Sequence, residues 1–124
     1  MPGWLAVMIG GALGALTRYA VALAALRFSQ GFPWGTWIAN LLGCLLIGLL
    51  LPLAVEARWA EPVRLLVVTG FLGAFTTFST FSYETMALWE RGAVGLAVLN
   101  AVGSVVLGLA CVAAGYAASV RLLA

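Results

Sequence analysis

The chain has 124 residues, of which 65% are hydrophobic and 8% charged, and its formal net charge is +2. A soluble domain is usually about a quarter charged, so a water-exposed globular surface is excluded, as is the basic cluster that a nucleic-acid footprint requires. Hydrocarbon about 30 Å thick takes roughly 20 apolar residues per helix, so residues 1–124 hold about four spans in one all-α membrane domain.

The first predicted span runs from Trp4 to Leu26. Ala24 and Ala25 close it much as small residues close a secretory signal, but no basic region precedes the run and Arg18 interrupts it. The segment is therefore expected to remain in the mature protein. Gly31, Pro33 and Gly35 punctuate the following loop, and further spans are predicted at Trp37–Val55, Val63–Trp89 and Ala93–Val120. Arg27, Glu56, Arg58, Glu61, Arg64, Glu90, Arg91 and Arg121 flank the spans. Trp4, Trp34, Trp37, Trp59 and Trp89 lie where an aromatic belt would form. Only Arg18 and Glu84 fall well inside a span. Cys44 and Cys111 are both intramembrane, which suits small apolar packing residues better than a disulfide framework or a metal site.

Alternating spans place Arg58, Arg64 and Arg121 on one membrane face and Arg27 and Arg91 on the other, with Arg18 buried nearer the second. Arginine near span ends sets orientation. A bias this slight predicts insertion either way up, the alternative being that a weak bias suffices.

Polar residues inside hydrocarbon are costly and so carry information. Small or polar residues recur four apart, on one helical face, as Gly10, Gly14 and Arg18 in the first span. The second repeats this with Thr36, Asn40, Cys44 and Gly48, and the fourth with Asn100, Ser104 and Gly108. Close helix packing explains such stripes. The amide, hydroxyl and guanidinium groups among them equally suit a narrow hydrated path, where polar groups replace an ion's water.

In the third span, a continuous helix over Val63–Trp89 would be about 40 Å long at 1.5 Å per residue. Its centre, Thr69 to Ser82, is rich in glycine and threonine, both weak helix formers. A break is predicted near Gly73–Thr77. Unwound backbone at the midplane persists only where protein or an ion satisfies it, and a half-helix ending there offers carbonyl oxygens to a cation. Phe78 and Phe81 would share one face of the second half-helix.

The run Gly70 to Phe81, GFLGAFTTFSTF, resembles the signature of the Fluc family of fluoride channels. Gly10 to Tyr19 (GGALGALTRY) and Gly35 to Gly43 (GTWIANLLG) are similar to that family's first- and second-helix motifs. Asn100, Ser104 and Gly108 fit the fourth helix, so the resemblance covers nearly the whole chain. Two positions depart from the family pattern: Ala74 stands where a second glycine is frequent, and Trp37 replaces a leucine after Gly-Thr.

The resemblance implies an antiparallel, dual-topology homodimer with the third helix broken at the midplane and two fluoride pathways. It implies a structural sodium ion held by backbone carbonyls of Gly73 and Thr76 from both subunits. Phe78 and Phe81 would be the aromatic pair beside which fluoride passes, and Asn40 the pore amide. Ser79, Thr80 and Ser104 would supply hydroxyl donors, and Arg18 would draw anions to a vestibule. Aromatic edges carry partial positive charge and can touch an anion without trapping it. Without the resemblance, the two phenylalanines read as simple lipid-facing or core packing.

The activity implied is passive export of cytoplasmic fluoride across the cell membrane, the inner membrane in a bacterium. The partners are fluoride, lipid and a second copy of the chain. No phosphate-binding Gly-rich loop, no histidine and no nucleophile with a partner base is present, so neither an enzyme nor an ATP-driven pump is expected. A proton-coupled small multidrug exporter is similar in size but places a carboxylate in its first helix, where this chain has Arg18. A non-transporting packing protein is the third alternative, and it would need no polar stripes.

Overall fold

The structure, a computed structural model, describes residues 1–124. It is entirely helical. Helix α1 (Gly3–Ala25) ends in a 3₁₀ turn at Leu26–Phe28, and α2 covers Trp34–Glu56. The third span starts as α3 (Glu61–Arg64), continues as a π-helical stretch over Leu65–Leu72 and closes as α4 (Gly73–Phe75). Helix α5 (Phe78–Glu90) follows after two residues, and α6 (Val94–Leu123) completes the chain. Four segments, Gly3–Phe28, Trp34–Glu56, Glu61–Glu90 and Val94–Leu123, are long and apolar enough to cross a membrane.

Helix α2 starts three residues before the Trp37 expected from the apolar run. Pro33 caps it, and the Pro33 carbonyl accepts the Trp37 N–H at 3.1 Å, so the first turn closes over Trp34–Trp37 despite Gly35. Phe32, Trp34 and Trp37 gather there with ring centroids 4.9 to 5.7 Å apart. At the end of α5, Gly92 takes the left-handed conformation (φ 81°) that favours glycine after a helix. The Arg91 guanidinium donates to the Gly31 carbonyl at 2.7 Å, which ties the α5–α6 turn to the α1–α2 loop.

Large side chains mostly point outward, and the buried apolar residues include Ala6, Ala39, Ala54 and Ala97. Lipid tails are as apolar as leucine, so helices in a membrane associate by close van der Waals approach. Two pairings dominate, α1 against the 65–75 arm and α2 against α6. In the first, Gly10 and Gly14 lie against the Leu66 and Phe71 carbonyls; in the second, Gly48 and Gly115 lie against the Val112 and Leu45 carbonyls. At none of these four positions is there room for a β-carbon. Helix α5 contains no glycine and buries only Leu88.

Candidate functional site

Thr76 (φ −87°, ψ 156°) and Thr77 (φ −150°, ψ 125°) are extended, which separates α4 from α5. The chain itself satisfies part of the freed backbone. Asn40 on α2 braces Thr77 from both sides: its Oδ1 accepts the Thr77 N–H at 2.7 Å, and its Nδ2 donates to the Thr77 carbonyl at 2.9 Å. Thr77 caps α5, its Oγ1 accepting the Thr80 N–H at 3.3 Å. Arg18 Nε donates to the Ala74 carbonyl at 3.1 Å.

Those bonds divert the donors a continuous helix would have used. The Thr77 N–H, which would meet the Gly73 carbonyl four residues back, goes to Asn40. The Thr80 N–H, which would meet the Thr76 carbonyl, goes to the Thr77 hydroxyl, and no other backbone donor reaches the Thr76 oxygen. Gly73 is exposed, with only the Val68 carbonyl 4.0 Å from where a β-carbon would stand.

Beside the break lies a cavity of about 400 Å³, whose walls include Asn40, Cys44, Thr76, Phe78, Phe81 and Ser104. The Phe78 and Phe81 ring centroids are 5.7 Å apart with planes inclined at 48°, and Phe78 is 79% exposed. Asn40 has spent one amide hydrogen on Thr77 and retains a second, because an amide nitrogen carries two. The site thus combines aromatic rings, an amide N–H and the Ser104 hydroxyl around one space. This combination of donors and aromatic rings, whose edges carry partial positive charge, suits a small anion that must shed water.

The residues singled out from sequence do not all meet there. Arg18 and Thr80 line a separate cavity of about 290 Å³ on the other side of α5, together with Tyr19, Thr36 and Glu84. Ser79 is exposed and lies 3.5 Å from the Thr77 hydroxyl. The stripes also divide. Gly10, Gly14 and Gly48 serve helix contact, whereas Asn40, Cys44 and Ser104 face the first cavity.

Sequence reasoning gave Glu84 and Thr77 no site role. Thr36 Oγ1 donates to Glu84 Oε1 at 2.9 Å, and Glu84 Oε2 is buried with no hydrogen-bond partner. Thr77 was legible as a cap, since a threonine just before a helical run often accepts from the N–H three residues on. Cys44 and Cys111 are both free thiols.

Comparison with known proteins adds the following. A family model described as "CrcB-like protein, Camphor Resistance (CrcB)" matches residues 5–116. The chain is 53% identical over 113 residues to a protein of Chloroflexus aurantiacus, covering 90% of each. It is 49% identical over 117 residues to one from Thermus thermophilus, covering 94% of each, and 48% identical over 112 residues to one from Paracoccus denitrificans, covering 90% of each. All three relatives carry the name "Fluoride-specific ion channel FluC", that of a channel and not of an enzyme.

Proposed function

Since this multi-pass membrane chain belongs to the CrcB-like family, we propose that it is a passive fluoride-selective channel that exports fluoride from the cytoplasm. The observation that carries this reading is the meeting of Phe78, Phe81, Asn40 and Ser104 around one cavity at the helix break. Fluoride is small and strongly hydrated. A selective path must replace its water with N–H, O–H and ring-edge contacts while staying too tight for larger halides. Fluoride that enters as neutral acid and dissociates inside then leaves down its own gradient, so no energy source is required.

The test is halide efflux from liposomes carrying the purified protein. Fluoride release without chloride release is expected. Equal release of both, or of neither, would overturn the reading.

Assembly as an antiparallel dual-topology dimer with two pathways completes the proposal. Phe78 is mostly uncovered by its own chain, so a second copy would supply the missing wall. Balanced arginines support insertion both ways up, in the inner membrane of a bacterium. Terminal reporter fusions active on one side of the membrane should give signal in both orientations from a single sequence. Two arginines added beside Pro33 should collapse that signal to one orientation, and one-sided signal from the unaltered protein would refute dual insertion.

The same assembly accommodates a structural sodium ion. The Gly73 and Thr76 carbonyls are among those that lose their helical donors at the break, and uncharged oxygens suit a hard cation. Such an ion would neutralise carbonyl dipoles where two breaks meet. Replacing sodium with a large organic cation should lower efflux. Thr76→Ser should be mild, because the proposed ligand is a carbonyl. A β-carbon at Gly73 has only the Val68 carbonyl near it, at 4.0 Å, within its own chain, so loss of the dimer in Gly73→Val would report contact with a second copy.

A further inference from the structure

Helix α5 is attached to the rest of the chain differently from the other spans. It has no glycine with which to approach a neighbour, and Tyr83 and Met86 are exposed. Between it and α6 lies a gap of about 350 Å³ lined by Ser82, Thr85, Met86 and Ala97 among others. Apolar packing therefore does little to fix how far α5 stands from α6. Polar contacts take its place, and one reaches the aromatic pair. Asn100 on α6 is 1% exposed and donates through Nδ2 to Thr85 Oγ1 at 2.8 Å. The same hydroxyl donates to the Phe81 carbonyl at 2.8 Å. Thr85 thus uses its hydrogen on the backbone of Phe81 and its lone pair on Asn100.

We propose that Asn100 is a positioning residue that acts through Thr85 to hold the Phe81 turn of α5 at a set distance from α6, and thereby sets the width of the cavity that Phe81 and Ser104 share. Ser104 stands one turn after Asn100 on α6, and Phe81 one turn before Thr85 on α5, so the Asn100–Thr85 bond spans the same two helices at the cavity's edge. A buried amide cannot exchange its partner for water without cost. With the bond intact the spacing has one value; without it, the gap beside Thr85 lets α5 shift.

This inference rests on the channel reading, and its test separates the two. Thr85→Val keeps the shape and removes the hydroxyl, whereas Thr85→Ser keeps the hydroxyl. Fluoride efflux should fall about tenfold in Thr85→Val and in Asn100→Leu, the scale set by losing one buried hydrogen bond. It should stay within about twofold of the parent in Thr85→Ser. The double variant Thr85→Val with Asn100→Leu should be no worse than either alone, because one linkage is being removed.

A readout independent of transport is the ¹⁹F resonance of Phe81 in protein grown with 4-fluorophenylalanine, assigned by its disappearance in Phe81→Ile. That line should move in Thr85→Val and stay in Thr85→Ser. If Thr85→Val does not fold, Thr85→Ala carries the same expectations. An unmoved line, parental efflux without the hydroxyl, or equal loss in Thr85→Ser would overturn the inference. Failure of the unaltered protein to release fluoride would count against the channel reading, while the resonance would still decide the positioning.

Discussion

Phe78→Ile and Phe81→Ile should assemble as the parent does and lose most of their fluoride efflux. A ring serving only as packing would give a different result. Exchanging similarly sized apolar side chains typically costs less than about 1.5 kcal/mol, and Phe78, at 79% exposed, has little internal packing to lose. Transport would then be largely intact. If ring edges stabilise the anion, isoleucine removes the favourable quadrupole and leaves desolvated fluoride against an apolar wall. Raising the barrier by about 1.4 kcal/mol slows passage about tenfold, and both variants should show at least that loss. Phe71 is the control. Its ring stacks on Phe75 with centroids 5.9 Å apart, away from the Phe78–Phe81 cavity, so Phe71→Ile should remain active. Parental efflux from both well-folded variants would place the pathway on another face of α5.

The second large effect is expected at Gly14. A valine there would drive its β-carbon onto the Phe71 carbonyl, and that group is backbone, which cannot rotate aside. Overpacking of a fitted contact costs about 1–3 kcal/mol and occasionally more. Here the displaced element is the arm that leads into the helix break. Gly14→Val should therefore lower the thermal midpoint sharply and broaden the size-exclusion profile in detergent. Gly95, also inside a helix, has nothing within 4 Å of its would-be β-carbon. Gly95→Ala, in the first turn of α6, should be neutral or raise stability by less than the roughly 1 kcal/mol by which alanine is preferred in a helix interior. Similar behaviour of the two variants would mean that the α1 contact is looser than the structure indicates.

Much of this architecture was legible in the residues. Hydrocarbon thickness imposes a length on each apolar run, so the four spans emerge with ends displaced by three residues or fewer, most visibly at Pro33–Trp37. Thr76 and Thr77, the two extended residues, lie within the glycine- and threonine-rich stretch that argued against a continuous helix. Asn40, Phe78, Phe81 and Ser104 share a cavity because residues three or four apart share a helical face and their faces converge. The role of the glycine stripes was not legible. A pattern four apart says that a face is small or polar, but whether the face meets a helix or a cavity depends on which span lies opposite. The π-helical stretch over Leu65–Leu72 had no signal either, since its apolar residues suit any helix. Glu84 stayed obscure because its partner Thr36 is 48 residues away.

The tightest glycine-to-backbone contacts, those of Gly10, Gly14, Gly48 and Gly115, join spans that are not consecutive, first to third and second to fourth. During synthesis, then, α1 and α2 enter the bilayer before either has its main partner, and their notched faces must wait against lipid. Chains ending after α2 should remain loose hairpins, open to quality-control proteases. Arrival of the third span would let α1 dock, and only the last 30 residues of helix, α6, would let α2 follow. Maturation is therefore governed by α6, and a ribosome stalled before it would leave half of the packing unmade.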